Sequence, residues 1–440
     1  MAAALAAALL VLVAVLVGTA IQHRDHSLFV AWPPVFAQWE PHVGPGTPAA
    51  LAVAVAVVAY GPGLAARLPW RALLFTAWGT AMAWTFSLAL VDGWHRGIAS
   101  RLTTTNEYLT VIGRFHDIPA TLRDFTHHIL SHSPAPWPAH IAGHPPAATV
   151  TFVLLDRIGL DGGAWAGVWC ITVGATAGAA VLVTVRVLAG EQLARRAAPF
   201  LVLAPAAVWM GTSADGYFAA VAAWSVAFLA LAVTGHRPRT AGLAAGLLFG
   251  LTAYLSYGLT LFAVIAGAAL LLGHRRLAPL PYVVAGLAVV PVVFTLLGFN
   301  WWEAYHLLIT RYYEGVGGTR PYSYWVWANL ACTALIVGPA TAAGLRRAGT
   351  ASARPELRDL RSGFRTAAPE HRLALLVFAA LLALLIADLS GMSKAETERI
   401  WLPFAMWLLP ACAFLPRPRA WLAAQAVLAL LLNHLLLTGW

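Results

Sequence analysis

The chain is 440 residues long, 60% hydrophobic and only 10% charged, with a mean hydropathy of +0.73. So little charge at this length excludes a water-soluble globular fold. The net charge of +10 would suit nucleic acid, but the arginines stand in short loops between apolar runs, where membrane topology accounts for them, and no nucleic-acid partner is expected.

Apolar runs of roughly 17–25 residues, the length that crosses a bilayer as a helix, recur from end to end. The sequence therefore predicts an all-α polytopic membrane protein. The first run, Ala2 to Ile21, has no basic stretch before it and reads as a first span, not a cleaved signal peptide. In chain order the predicted spans are 2–22, 48–64, 72–93, 164–188, 197–212, 214–234, 240–256, 257–273, 279–298, 324–343, 372–388, 400–415 and 419–438, thirteen in all. Residues 240–273 are almost continuous, broken by a tight turn at Leu255-Ser-Tyr-Gly258. Cys170, Cys332 and Cys412 lie far apart in apolar runs and form neither a disulfide framework nor a CxxC metal site. The chain has no internal repeat and no Gly-rich phosphate loop.

Charge then sets sidedness. With a cytoplasmic N-terminus and every span crossing, the inside loops receive seventeen arginines and four acids (Glu191, Glu356, Asp359 and Glu370). The outside loops receive fourteen acids and ten basic residues. Positive charge resists translocation, so this partition predicts a plasma-membrane protein whose large loops face outside. It requires that 144–162 does not cross. That segment is short, holds Asp156-Arg157 and opens with Pro145-Pro146, so it is expected to lie at or half within the interface. The inside loop 344–371 reads as a solvated basic linker near lipid headgroups.

The outside loops are 93–163, 299–323 and 389–399, with a short turn at 211–216. The polar run from Asp92 to His144 holds Glu107, Asp117, Asp124 and seven histidines: His95, His116, His127, His128, His132, His140 and His144. Such a density of titratable groups between spans is where chemistry at a membrane face is expected. Asp92 ends a span, either as a carboxylate marking the helix boundary or as a base at the mouth of the bundle. Glu107 opens an amphipathic run in which Tyr108, Leu109, Val111, Ile112 and Phe115 share one helical face. There it either favours the helix dipole or is held over a cleft. The histidines lack cysteine partners and an HExxH spacing, so no metal ligand set is assigned, and adjacent His127 and His128 point apart on a helix.

Asp215, in the 211–216 turn, is a turn carboxylate, a helix cap or a substrate contact. The aromatic stretch from Asn300 to Glu314 reads as an interfacial belt, whose rings also suit sugars, with Arg311 within reach of a phosphate. Lys394 is the sole lysine and, with Arg399, stands outside against the topological bias. A lipid-phosphate head is one reason for such cations; pairing with Glu396 and Glu398 on a first helical turn is the other.

Taken in this order, the residues resemble the C-type (GT-C) polytopic glycosyltransferases, including the protein-mannosyltransferase-like and aminoarabinose-transferase-like families and the actinobacterial arabinosyl- and mannosyltransferases. The likeness is carried by an outer loop with the acidic-aromatic motif Asn106-Glu107-Tyr108-Leu109. His144-Pro145-Pro146 then opens a juxtamembrane helix, followed by Leu160 and the next span. Lys394 to Pro403 is similar to a late segment of actinobacterial members. The match in organisation covers most of residues 70–415. It implies a GT-C-like bundle that moves a sugar from a polyprenyl-phosphate donor to a hydroxyl of a cell-envelope glycan, glycolipid or protein at the outer membrane face, usually with inversion. It further implies Asp92 or Glu107 as general base, cations on the leaving phosphate, and a lipid tail that stays in the bilayer. The substrate contacts expected are Tyr108, His144, Asp215, Arg311, Lys394, Glu398 and Arg399. No cofactor is assigned, and a divalent cation is left open.

There are departures: Asn106 stands where the families often show Asp, Ala147 where many show Gly, and 2–22 and 48–64 precede the pattern. The organisation expected is two N-terminal helices (1–70), the core (71–343, with the catalytic outer loop 93–163), the basic linker (344–371) and C-terminal helices (372–440). Two rivals remain. One is a transporter or flippase of lipid-linked saccharide, which the scarcity of charge within the spans disfavours. The other is a scaffold of the same fold without its base.

Overall fold

The computed structural model describes residues 1–352 and 367–439. The chain begins with α1 (Ala2–Asp25), a short strand β1 (Ala37–Trp39), α2 (Thr47–Arg67) and α3 (Trp70–Ala89), which ends in a 3-10 turn over Leu90–Asp92. A long loop follows. It contains a 3-10 helix over Tyr108–Phe115, then α4 (Ile118–Asp124), α5 (Ala139–Gly143) and α6 (Ala147–Arg157). The middle of the chain is α7 (Gly162–Gly174), α8 (Thr176–Ala189), α9 (Glu191–Val202), α10 (Ala207–Met210), α11 (Ala214–Val233), α12 (Pro238–Leu255) and α13 (Phe262–Leu272). Beyond these come α14 (Leu280–Leu296), α15 (Trp301–Glu314), α16 (Val316–Thr319) and the long α17 (Tyr322–Ser352). The last are α18 (Pro369–Leu389), α19 (Thr397–Ile400), α20 (Leu402–Ala405), α21 (Pro418–Leu435) and β2 (Leu436–Thr438), which pairs antiparallel with β1, Gln38 opposite Leu437.

Among the described residues, seven helices are long and apolar enough to cross a membrane, or eight if α14 and α15, bent by 77°, count as one span. The predicted thirteen crossings are not reached. Residues 197–212 divide between α9 and α10, and 400–415 break into α20 and a 3-10 stretch over Leu409–Phe414. Proline stands at both breaks: Pro205 between α9 and α10, and Pro410 at the start of the 3-10 stretch, each lack the backbone donor that would continue a helix. The predicted linker 344–371 is not a loop throughout, because α17 runs on to Ser352. Its residues Arg354, Glu356, Arg358, Asp359, Arg361 and Arg365 lie outside the described residues.

The helices differ in how much of them is covered. α11 is buried on nearly every face, as expected for a helix apolar all round. On α1, Leu5, Leu9, Leu12 and Leu16 are exposed, the surface that lipid would cover. It touches α17 through Ala14 and Gly18, with the Tyr324 hydroxyl donating to the Ala14 carbonyl at 2.9 Å. α12 and α14 approach through small residues: a Cβ on Gly246 would lie 2.0 Å from the Val283 carbonyl oxygen. Inside α17, Gly338 (φ 74°) and Pro339 break the helix. Gln425 of α21 repairs the break, taking the Ala340 N–H (3.3 Å) and donating to the Val337 carbonyl (2.8 Å). Freed backbone groups within a bilayer require such a partner.

Loops that the charge rule puts on one face do meet there. Phe36 contacts Glu398, His42 contacts Asp92, Arg320 contacts the Leu28 carbonyl, and Arg311 reaches the 125–137 region. At the opposite, arginine-rich end, Arg195 bonds the Ala65 and Leu68 carbonyls and Arg196 the Leu415 carbonyl. α6 has eleven residues, too short to cross; it buries Ala148, Phe152 and Val153 and leaves Leu154 and Ile158 exposed. The expectation that 144–162 does not cross is consistent with this length.

Candidate active site

The site is assembled in the cap formed by the long loops, and two carboxylates organise it. Asp92 ends the 3-10 turn after α3, where Gly93 (φ 78°) redirects the chain. Its carboxylate accepts from His42 Nε2 (2.9 Å), Arg96 Nε (3.1 Å) and Arg101 Nη2 (3.0 Å). Arg96 and Arg101 also donate to the carbonyls of Thr438 and Gly439, so Asp92 ties three stretches of chain together. Burial, with Arg96 adding to it, lowers the Arg101 pKa against the pull of Asp92. Both guanidinium groups line a groove of about 480 Å³, with Phe29, Phe36 and Gln38 among its walls.

The second carboxylate is Glu107, at the residue before the 3-10 helix. That helix buries Tyr108, Val111 and Phe115 against α6; the face expected from the sequence is present, but as a 3-10 helix and not an α-helix. Glu107 is itself buried, and its Oε1 lies 2.8 Å from His140 Nδ1. Arg399 Nη2 is 3.3 Å from His140 Nε2, and Nη1 is 2.6 Å from Asp215 Oδ2. Asp215 begins α11, where its backbone N–H is held by Ser213 Oγ and the helix N-terminus favours its charge. Glu396 bonds Arg399 (3.3 Å) and Arg320 (3.5 Å). Burial acts against charge on Arg399, but Asp215, then Glu396 and Glu107, outweigh it and raise its pKa. Burial likewise opposes ionisation of Glu396, and Arg399 and Arg320 overcome it, so its carboxyl is held below the usual range.

Glu107, Tyr108, Arg399, Ser213 and Arg101 converge on a narrow cleft that shares Arg101 and Gly439 with the larger groove. The Tyr108 hydroxyl is buried there without a hydrogen-bond partner among the described residues. Burial, with Asp215 and Glu107 adding to it, raises the Tyr108 pKa well above its ordinary value, so it is a neutral donor. His144 lies between the Tyr108 and Phe218 rings (5.8 and 5.7 Å), its Nδ1 donating to the His140 carbonyl. Burial lowers its pKa to about 4, leaving a neutral imidazole near pH 7.

Of the residues expected from the sequence, Glu107, Tyr108, His144, Asp215 and Arg399 are brought together, and Asp92 joins them through Arg101. Three are not. Arg311 donates to the carbonyls of Ile129 and Trp137 and so clamps α15 to the long loop. Lys394 Nζ is buried against the Gly317 carbonyl (2.8 Å) and the Tyr313 ring (5.4 Å). Glu398 is fully buried, accepting from the Phe36 N–H (3.0 Å) and the Cys332 thiol (3.4 Å). His127 and His128, expected to point apart, both reach Asp124, at 2.7 and 2.8 Å. Reasoning from sequence missed Arg101 and Arg320, while the pairing of Arg399 with Glu396 is one of the two readings it offered. Arg101 and Arg320 carry the signal that marked Lys394: arginines kept on the side where positive charge is disfavoured. Among the described residues, no three of His, Cys, Asp or Glu are grouped so as to hold a metal ion.

No protein-family model and no curated protein matches the chain. Among solved structures it is similar to the oligosaccharyltransferase of Archaeoglobus fulgidus. The complex with zinc and sulfate shows 14% identity and a TM-score of 0.45, over 80% of this chain and 53% of that one. The apo form gives 13% and 0.47, over 79% and 50%. The complex with an inhibitory peptide and a dolichol-phosphate gives 13% and 0.46, over 78% and 50%. The chain thus spans about half the length of the structures it matches.

Proposed function

We propose that the protein is a membrane-embedded glycosyltransferase that moves a sugar from a polyprenyl-phosphate donor to a hydroxyl of a cell-envelope glycan, glycolipid or protein at the extracytoplasmic face. The observation that carries this reading is the cleft where the Glu107 carboxylate, the unpartnered Tyr108 hydroxyl and two guanidinium groups, of Arg101 and Arg399, converge at one end of an apolar bundle. Glu107 is the base. The acceptor O–H gives its proton to the Glu107 carboxylate as its oxygen forms a bond to the anomeric carbon. The bond from that carbon to the phosphate oxygen breaks, and the electron pair leaves with the polyprenyl phosphate. Attack opposite the departing phosphate inverts the anomeric centre. His140, placed between Glu107 and Arg399, keeps the carboxylate turned to the cleft. Arg101 and Arg96 meet the developing phosphate charge from the adjoining groove, and neutral Tyr108 and His144 orient the sugar.

Asp92 suits the base less well, because three donors already occupy its carboxylate. It acts by aiming Arg96 and Arg101. The test is transfer by the purified protein in nanodiscs, using short-chain polyprenyl-phosphate-linked pentoses and hexoses with a panel of saccharide acceptors. Sugar-to-acceptor transfer with release of polyprenyl phosphate is expected. Folded protein that neither transfers nor hydrolyses any donor contradicts the reading, and flipping of the donor across the bilayer instead would make it a transporter.

A further inference from the structure

A second feature lies at the opposite end of the bundle, away from the cleft. The last turns of α17, the start of α21 and the N-terminal turn of α1 border an open cavity of about 830 Å³. Two helix faces line it with the same spacing. On α17 the face is Ala343, Arg346, Arg347 and Thr350; on α21 and its cap it is Arg417, Ala420, Trp421 and Ala424. Residues at i, i+3, i+4 and i+7 share one side of a helix, so each helix turns a single stripe to the cavity, and each stripe brings arginine. The stripes otherwise consist of small or apolar residues.

Three exposed guanidinium groups therefore border an apolar space, and among the described residues none of the three has an ion-pair or hydrogen-bond partner for its side chain. Arg195, bound to Glu191 and two carbonyls, and Arg372, bound to the Leu272 carbonyl, are by contrast tied into the fold, while Arg67, Arg71 and Arg239 stand outside the cavity lining. The N-terminus of the eighteen-residue α21 points at the same space without a side-chain cap, and Arg417 is its N-cap residue. Free amide N–H groups at a helix start attract anions. The break at Gly338–Pro339, held by Gln425, fixes how α17 and α21 diverge toward the cavity. α1 closes one side only, and its exposed leucines place that side in lipid. Trp421, partly buried at the cavity wall, has the position of a headgroup-level anchor.

We infer that this cavity binds the phosphate headgroup of an anionic phospholipid from the leaflet on the arginine-rich face, with its acyl chains running out along α1. The charge bias of the loops makes that leaflet the cytoplasmic one. Positive charge selects an anion, the apolar walls select one attached to a lipid, and the opening beside α1 gives the chains a path into the bilayer. The site is independent of the transfer chemistry proposed above, which lies at the other end of the spans.

The experiment is native mass spectrometry of the full chain released from nanodiscs of phosphatidylcholine containing phosphatidylglycerol, with retained lipid counted. Wild type is expected to retain phosphatidylglycerol in preference to phosphatidylcholine. Arg346→Gln, Arg347→Gln and Arg417→Gln combined should weaken that retention about 100-fold, the sum expected for three cations near a surface. The same three changed to Lys should recover most of it. A triple variant of equal charge change elsewhere on that end, Arg67→Gln, Arg71→Gln and Arg239→Gln, should retain lipid like wild type. Each single glutamine variant is measured as well, so a triple variant that fails to fold leaves the prediction testable through a roughly fivefold loss per residue. Equal retention by the cavity triple and the control triple overturns the proposal. So does occupancy by inorganic phosphate at the expense of lipid, which would make the site one for a soluble anion.

Discussion

Asp92 and Glu107 are carboxylates in the same cap, each beside arginine, yet their surroundings differ in kind. Asp92 accepts from a histidine and two arginines, and those arginines continue to the Thr438 and Gly439 carbonyls. Glu107 faces a single histidine and a cleft lined by groups that include a hydroxyl with no partner. Three donors, two of them guanidinium groups, occupy most of the roughly four lone-pair sites of the Asp92 carboxylate and favour its anion over a protonated form, whereas a carboxylate turned by a single neighbour toward an opening keeps sites for an incoming proton. In the sequence Asp92 is a candidate for its place at the end of a span and Glu107 for the acidic-aromatic motif of the outer loop, and neither signal counts the donors around a carboxylate, which is where the two differ.

The largest effect expected is that of Glu107→Gln. Loss of a general base costs roughly 10²–10⁴-fold in rate, so transfer should fall about 10³-fold in kcat, while the melting temperature moves little. Next comes Arg399→Ala, which leaves Asp215 and Glu396 buried without their common partner; removal of one member of a buried pair costs about 3–5 kcal/mol. A denaturation or thermal-inactivation series should show that loss, and Arg399→Lys should recover stability more than activity, since a lysine cannot span Asp215 and Glu396 together. Asp92→Asn should act chiefly through Arg96 and Arg101: the donor KM rises about tenfold, while kcat with saturating donor stays within a few-fold of wild type, since a lost hydrogen bond to a charged group is worth about 1.5–3 kcal/mol.

Tyr108→Phe sharpens the comparison from the other side. Its hydroxyl is buried without a partner, a state that costs about 1–3 kcal/mol, so the phenylalanine variant should be at least as stable as wild type. If the hydroxyl serves substrate, the same variant should bind donor or acceptor several-fold more weakly. The smallest effect concerns His144. Its pKa of about 4 in the fold lies below the ordinary value of 6.5. Between those values the unfolded chain binds the proton and the folded chain does not, so stability falls as pH drops from about 6.5 to about 4. His144→Gln should flatten the melting temperature over that window and leave it unchanged above pH 7.

Much of this arrangement was legible in the sequence. Alternating charge in the loops separated two faces, and the contacts of Phe36 with Glu398 and of Arg195 with Ala65 follow that division. The stretch 144–162 folds into a helix too short to span, as read from the proline at its start and Asp156-Arg157 near its end. What was not legible is pairing at a distance. Arg399 meets Asp215 across 184 positions of sequence, and no local pattern announces such a contact. Lys394 and Glu398 looked as exposed as Arg399, because burial is decided by Gly317 and Cys332, which approach from other elements. The expected thirteen spans are not confirmed, and at two of them, 197–212 and 400–415, hydropathy registers the apolar run but not the prolines within it.

The most direct measurement is single-turnover transfer by wild type, Glu107→Gln and Asp92→Asn in nanodiscs, at saturating polyprenyl-phosphate-linked donor. The account predicts that Glu107→Gln loses the transfer step about 10³-fold while still binding donor, and that Asp92→Asn keeps that step within a few-fold. The reverse order, with Asp92→Asn inactive and Glu107→Gln turning over, would assign the base to Asp92 and contradict the reading of the cleft.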